Sequence, residues 1–132
     1  GCINIDNRIV EHKGILIAGL EGSMRYRPGE YQYTDFEMCM KINRLKPRLY
    51  ANRLLKKRYV DILVTHAPPL GIHDEDDACH RGFKCFNNFI KSYRPRYHLH
   101  GHIHYYGCDY EWMTRVNGTK VVNAYGFQVL EI

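Results

Sequence analysis

The residues best suited to chemistry are histidines at strand-like boundaries. His66 sits in Asp61-Ile62-Leu63-Val64-Thr65-His66-Ala67-Pro68-Pro69, and His100-Gly101-His102-Ile103-His104 follows at a distance. Neutral imidazole is the commonest protein ligand for catalytic transition metals, and a glycine beside it lets the backbone turn closely around an ion. The first run reads as an apolar strand entering a proline-stiffened loop that presents one imidazole. The pattern therefore points to part of a metal site at strand ends.

Those histidines must be positioned by an ordered scaffold. Strand-type signals cover Cys2 to Ile5, Arg8 to His12 and Gly14 to Gly19, with a turn at Asp6-Asn7, and predict a small meander. From Leu20 to Tyr33 the breakers Gly22, Ser23, Pro28 and Gly29 predict a long loop, of the kind that builds leaving-group pockets. Thr34 followed by Glu37 is a capping-box spacing and predicts a helix to about Leu45. Pro47 fits the first turn of a second helix, Arg48 to Arg58, where its missing N–H costs nothing. Tyr59 to Thr65 reads as a buried strand, Leu70 to Arg81 as a loop, Gly82 to Tyr93 as a helix and Tyr97 to His100 as a strand. Tyr105 to Val116 and Thr119 to Ile132 read as antiparallel strands joined at Asn117-Gly118. The order predicts α/β with a mixed sheet.

Composition narrows the partners. The 132 residues suit one domain and contain no run near the roughly 18 apolar residues of a membrane span. Nineteen Lys and Arg against 14 Asp and Glu give +5, which favours anionic partners. Phosphate esters fit; nucleic acid is compatible with the charge, but Tyr105, Tyr106, Tyr110 and Trp112 lack an interleaved basic pattern and are expected to pack on the sheet. The Arg53 to Arg58 run reads as a solvated helix face. Five cysteines without a C-x-x-C pair fit a reducing compartment, here expected to be the cytoplasm. Gly1 is not an initiator Met and no signal-like segment follows it, so a longer parent chain is expected. Asn117-Gly118-Thr119 matches a glycosylation acceptor but is better read as the hairpin turn.

Val64-Thr65-His66-Ala67-Pro68-Pro69, Gly101-His102-Ile103-His104 and Thr119-Lys120-Val121-Val122-Asn123-Ala124-Tyr125-Gly126 together resemble the later motifs of the calcineurin-like metallophosphoesterases. The resemblance implies an α/β sandwich with two divalent ions (Mn, Fe or Zn) that activate water for hydrolysis of phosphate mono- or diesters. By that likeness His66 and His102 would bind one metal and His104 the other. The alternation of His98, His100, His102 and His104 on a strand would put neighbours of this set roughly 6.6 Å apart on one face. The family's earlier motifs, Asp-x-His, Gly-Asp-x-x-Asp and Gly-Asn-His-Asp/Glu, have no counterpart here. Residues 1–132 are thus expected to form one unit, the C-terminal half of such a domain: half a sandwich, with a mixed sheet, flanking helices and an antiparallel C-terminal hairpin. Without the bridging carboxylate, two cations about 4 Å apart repel by several kcal/mol, so the isolated chain should bind at most part of the centre and turn over little substrate.

Substrate contacts are expected from His80 and Arg81, beside a helix start with free N–H groups, and from Asn123 in the tail strand. Asp74, Asp76 and Asp77 are read as a solvated loop, with metal ligation the lesser alternative, and His12 as a surface residue. Two alternatives to the hydrolase half remain: a degenerate assembly or metal-binding module, and a mononuclear zinc site of His66, His102 and His104. A missing half-sandwich would leave an apolar sheet face, so a second chain, the N-terminal half or a homo-oligomer is expected to cover it.

Overall fold

The computed structural model describes residues 1–105 and 110–132. Its elements run β1 (Arg8–His12), β2 (Ile15–Leu20), β3 (Ser23–Met24), β4 (Gln32–Tyr33), α1 (Asp35–Lys56), β5 (Ile62–Thr65), α2 (Lys84–Tyr93), β6 (Tyr97–His100), β7 (Met113–Val116) and β8 (Thr119–Asn123). Six of the strands form one mixed sheet in the order β1-β2-β5-β6-β8-β7, parallel in the middle and closed at each edge by an antiparallel hairpin. The α/β class and the C-terminal hairpin expected from the sequence are both present.

Both helices lie on the same face. The crossovers β2-α1-β5 and β5-α2-β6 step across the sheet in one direction, and crossovers of one hand that step the same way deposit their helices on one side. Leu16, Ala18, Leu20 and Leu63 on that face bury against Met38, Ile42, Leu45 and Leu49 of α1 and Phe86, Phe89 and Tyr93 of α2. The opposite face is also apolar. Ile62, Tyr97 and Val122 are buried there, Ile15, Ile17, Val64 and Leu99 are half-buried, and Trp112, Met113 and Leu130 lie against them. The Tyr97 hydroxyl donates to the Glu131 carbonyl at 2.7 Å, which ties the chain terminus across this face.

Helix α1 differs from the expectation of two helices broken at Pro47. It opens on the capping box, with the Thr34 hydroxyl accepting from the Glu37 N–H and the Glu37 carboxylate accepting from the Thr34 N–H, and then continues through Pro47. Pro47 and Asn43, whose carbonyl loses its partner, are both exposed, so water can replace the missing donor. The buried stripe Met38, Ile42, Leu45, Leu49 stays in phase across the proline. Burying each such side chain contributes about 1.5–3 kcal/mol, enough to offset a proline cost of about 3 kcal/mol.

Other boundaries also move. Cys2 to Ile5 joins no ladder; Asp6 alone bridges to Gly19, while its carboxylate accepts from the Glu21 N–H and the Lys41 ammonium. The Leu20 to Tyr33 loop contains the short parallel pair β3 and β4. β5 begins at Ile62 rather than Tyr59, α2 at Lys84 rather than Gly82, and β8 ends at Asn123 rather than Ile132. β7 starts only at Met113; Tyr106 and Cys108 lie outside the described residues. The Arg53 to Arg58 run is not wholly solvated, since Lys56 pairs with Glu11 and Arg58 with Asp61. Among the described residues, no helix is long and apolar enough to cross a membrane.

Gly82 is a close-approach residue. The Phe83 N–H donates to the Pro68 carbonyl at 3.0 Å and the Leu70 N–H to the Phe83 carbonyl at 3.1 Å, and a Cβ on Gly82 would stand 2.5 Å from the Pro69 carbonyl group. Gly82→Ala must therefore push the His66-Pro69 segment away from the start of α2. We expect a loss of about 1–3 kcal/mol, read as a lower urea midpoint; an unchanged midpoint would show that the contact relaxes freely.

Candidate metal centre

His66 follows β5 directly, and Gly101 to His104 follow β6, its parallel neighbour. The Gly101 N–H donates to the His66 carbonyl at 3.1 Å, extending the ladder one step past the strands. This pairing brings two segments distant in sequence to the same sheet end, and the His66 and His102 rings lie 4.6 Å apart, centroid to centroid. His102 has φ 70°, the left-handed region, whereas Gly101 is not in that region. The turn thus bends at the histidine, contrary to the expectation that the glycine would supply it, and a non-glycine residue held there is a feature that clusters at functional sites. The strand-like alternation of His98 to His104 likewise ends at His100, because residues 101–105 leave the sheet.

The His102 Nε2 lies 2.7 Å from the Cys79 carbonyl. A carbonyl only accepts, so Nε2 carries the proton and a neutral ring presents its Nδ1 lone pair. The His66 imidazole is pushed below its ordinary pKa, first by loss of water around it and then by the charges that His102 and His104 would carry. Both features suit ligation. His104 is exposed and stacks on Tyr125 with centroids 4.8 Å apart.

A cleft of about 580 Å³ opens over these rings, lined by Glu21, Ser23, Glu30, His66, Cys79, His80 and His102 among others. The loop from Glu21 to Tyr33 forms one wall, as the sequence suggested. His80 faces the cleft, its ring 5.2 Å from that of His102. Arg81 instead lines a neighbouring cavity of about 430 Å³ with Arg25, Asp35 and Lys84. The helix start beside it is already engaged, because the Asp35 carboxylate accepts the Cys85 N–H at 2.9 Å. Asn123 is buried; its amide donates to the Ile103 carbonyl and accepts from the Tyr125 N–H, bracing the segment that carries His102 and His104. Asp74 serves the backbone, accepting from the Gly71 and Gly82 N–H groups. Asp77 instead gathers with Cys79 and His80. Sequence reasoning did not single out Cys79; the Asp-x-Cys-His spacing was the available signal.

Beneath the site lies a file of imidazoles, His98 and His100 buried and His73 half-buried. The Thr65 hydroxyl donates to the Ala67 carbonyl at 2.6 Å, so it accepts from His98 Nε2 at 2.8 Å, and His98 Nδ1 has no partner among the described residues. His100 Nδ1 donates to the Gly101 carbonyl, His73 Nδ1 donates to His100 Nε2 at 2.9 Å, and the Thr114 hydroxyl donates to His73 Nε2 at 2.9 Å. Every ring in this order is neutral; the hydrogen bonds of His73 and His100 leave no lone pair open, and the open Nδ1 of His98 is sealed from water. Burial accordingly pushes His73 and His98 down and His100 down to about 4. The aromatic neighbours behave as expected in part: Tyr105 stacks on Tyr110, and Trp112 packs on the sheet.

Residues 3–106 match the family model of calcineurin-like phosphoesterases, and the chain belongs to that family. It is 42% identical over 59 residues to the UPF0046 protein T07D4.2 of Caenorhabditis elegans, a stretch covering 42% of this chain and 15% of the relative. One solved structure superposes with TM-score 0.61 at 20% identity, covering 92% of this chain and 45% of its own. The protein TT1561 of Thermus thermophilus superposes with TM-score 0.58 at 20% identity, covering 92% of this chain and 49% of its own. The chain thus spans about half the length of these structures, which share its fold. The family is generally one of dinuclear metal enzymes acting on phosphate esters.

The buried imidazoles give a stability dependence on pH. Their folded pKa values lie below the unfolded ones, so the unfolded chain binds more protons in between; stability is full above about pH 6.5 and is lost as pH falls toward the folded values. His100 alone, lowered from 6.5 to about 4, accounts for about 3 kcal/mol. Urea midpoints should fall across this window, and His100→Gln should flatten the fall. A midpoint that does not change across the window would refute the assignment.

Proposed function

We propose that this chain is the C-terminal half of a metal-dependent phosphoester hydrolase, residues 1–132 forming one unit that is completed by an N-terminal half or by a second chain. The observation that carries the reading is the approach of His66 and His102 to 4.6 Å at the ends of two parallel strands, under an open cleft. Ligands in open parallel sheets bind outside the carboxyl ends of the strands. His66, His102 and His104 would hold the metal ions, of the Mn, Fe or Zn class; the ions would supply Lewis acidity and an activated water.

The chain's own residues then have separable tasks. The Cys79 carbonyl keeps His102 in the ligand-competent tautomer. His80, on the cleft wall, would receive a phosphate oxygen, while Arg81, turned to the neighbouring cavity, would add positive charge rather than a direct contact. Asn123 supports the segment carrying two of the ligands rather than reaching the ester itself. The half-covered sheet face supports the need for a second body, either the missing half or another copy of the chain.

With Mn²⁺ and bis-nitrophenyl phosphate, the pure chain should show negligible turnover, and addition of an N-terminal family half should restore it. Failure of a folded, metal-loaded pair to turn over would defeat the enzyme reading in favour of a non-catalytic module. His66→Ala should weaken Mn²⁺ binding by about tenfold or more, since even outer partners of ligands cost that much; calorimetry reads it directly. Solution scattering should show a dimer for the isolated chain, and a compact monomer would count against self-association through the open face.

A further inference from the structure

The segment Asp77-Ala78-Cys79-His80 is a mixed donor cluster outside the family's ligand set. One atom from each of Asp77, Cys79 and His80 lies within 4.8 Å of the others. The Asp77 carboxylate approaches His80 Nδ1 to 2.7 Å and Cys79 Sγ to 2.8 Å, and Cys79 Sγ stands 3.4 Å from His80 Nδ1. Ligand bonds near 2.0–2.3 Å in a tetrahedral zinc site separate donors by about 3.5 Å. The thiol and imidazole already stand at that separation, and the carboxylate must withdraw from each by about 0.7–0.8 Å for the three to share one ion.

The chemistry of the set is selective. One thiolate, one imidazole and one carboxylate suit a borderline-soft cation, while Mg²⁺ and Ca²⁺ prefer oxygen alone. Cys79 and His80 both line the cleft that holds His66 and His102. The backbone carbonyl of Cys79 also holds His102 Nε2. An ion here would therefore stiffen the segment that orients His102.

We propose that Asp77, Cys79 and His80 form a separate binding site for a zinc-class divalent cation, with the fourth position open toward the cleft. Without the ion the Cys79 thiol donates to Asp77, and that bond holds the thiol protonated. On binding, the Sγ–H bond breaks, its proton leaves to buffer and its electron pair forms the Sγ–metal bond; the thiolate and the Asp77 carboxylate together offset the double charge of the ion, whose oxidation state does not change. His80 Nδ1 donates to Asp77 in the metal-free state, so on binding its proton is lost to solvent and Nε2 takes one up; Nδ1 then coordinates and the Nε2 N–H is left to donate to a phosphate oxygen. None of these ligands belongs to the imidazole set of the proposed hydrolase site, so the two assignments can fail independently.

The test is Co²⁺ titration of the reduced chain followed by absorption. A thiolate-to-cobalt charge-transfer band should appear in the near ultraviolet, saturate at one ion per chain and be displaced by Zn²⁺. It should vanish in Cys79→Ser, weaken by about tenfold in affinity in His80→Gln and in Asp77→Asn, and persist in Cys39→Ser and His66→Ala, with circular dichroism confirming the fold of each variant. No band in the unaltered chain, or one that survives Cys79→Ser, would overturn the site. A band lost equally in His66→Ala would make Cys79 a ligand of the imidazole pair's own ion and would also overturn a separate site. Mn²⁺ binding at His66 and His102 involves no thiolate and gives no such band.

Discussion

The parallel pairing of β5 with β6 is the constraint on which the rest depends. It sets Val64 beside Leu99, continues through the hydrogen bond from the Gly101 N–H to the His66 carbonyl, and so delivers two imidazoles to one sheet end. A slip of one residue would turn His98 and His100 away from the helix side and replace buried side chains along both strands. The helices follow from the same pairing, since a sheet that grows in one direction from β2 through β5 to β6 receives both crossovers on one face.

That pairing also creates the most demanding part of the interior. His98 and His100 point into a region packed by Phe86 and closed by His73, where water cannot reach them. The interior tolerates them because each is neutral and, apart from His98 Nδ1, each ring nitrogen has a partner. The result is a polar floor beneath the turn that carries His102, held by directional bonds from Thr65 and Thr114 rather than by apolar contact alone. Such a floor limits the positions open to the turn at His102 more tightly than close-packed hydrocarbon would.

The two sheet faces differ in how they are finished. One is covered by α1 and α2, whose apolar stripes match the alternation of β2 and β5. The other relies on a few side chains from the terminal segments around Trp112 and Leu130. Helices thus finish one face, whereas the described side chains against the other come from Trp112, Met113 and Leu130.

Much of the architecture was legible in the residues themselves. The capping box at Thr34, the strand Tyr97 to His100, the Asn117-Gly118 hairpin and the three family-like segments rest on local rules: a cap needs one hydroxyl and one carboxylate at fixed spacing, and a tight hairpin needs residues that accept positive φ. Pro47 misled because its local penalty was weighed without the buried stripe of Met38, Ile42, Leu45 and Leu49 that runs past it. The Asp77, Cys79 and His80 cluster was obscured because its donors had separate readings until one turn folded them together. The α/β class and the histidines at strand ends were readable from the residues alone, because side-chain chemistry and periodicity are local properties. Which imidazoles meet, which are sealed below them, and that His102 rather than Gly101 makes the bend emerged with the folded chain, because those outcomes depend on strand register and on the company each ring keeps across the sheet.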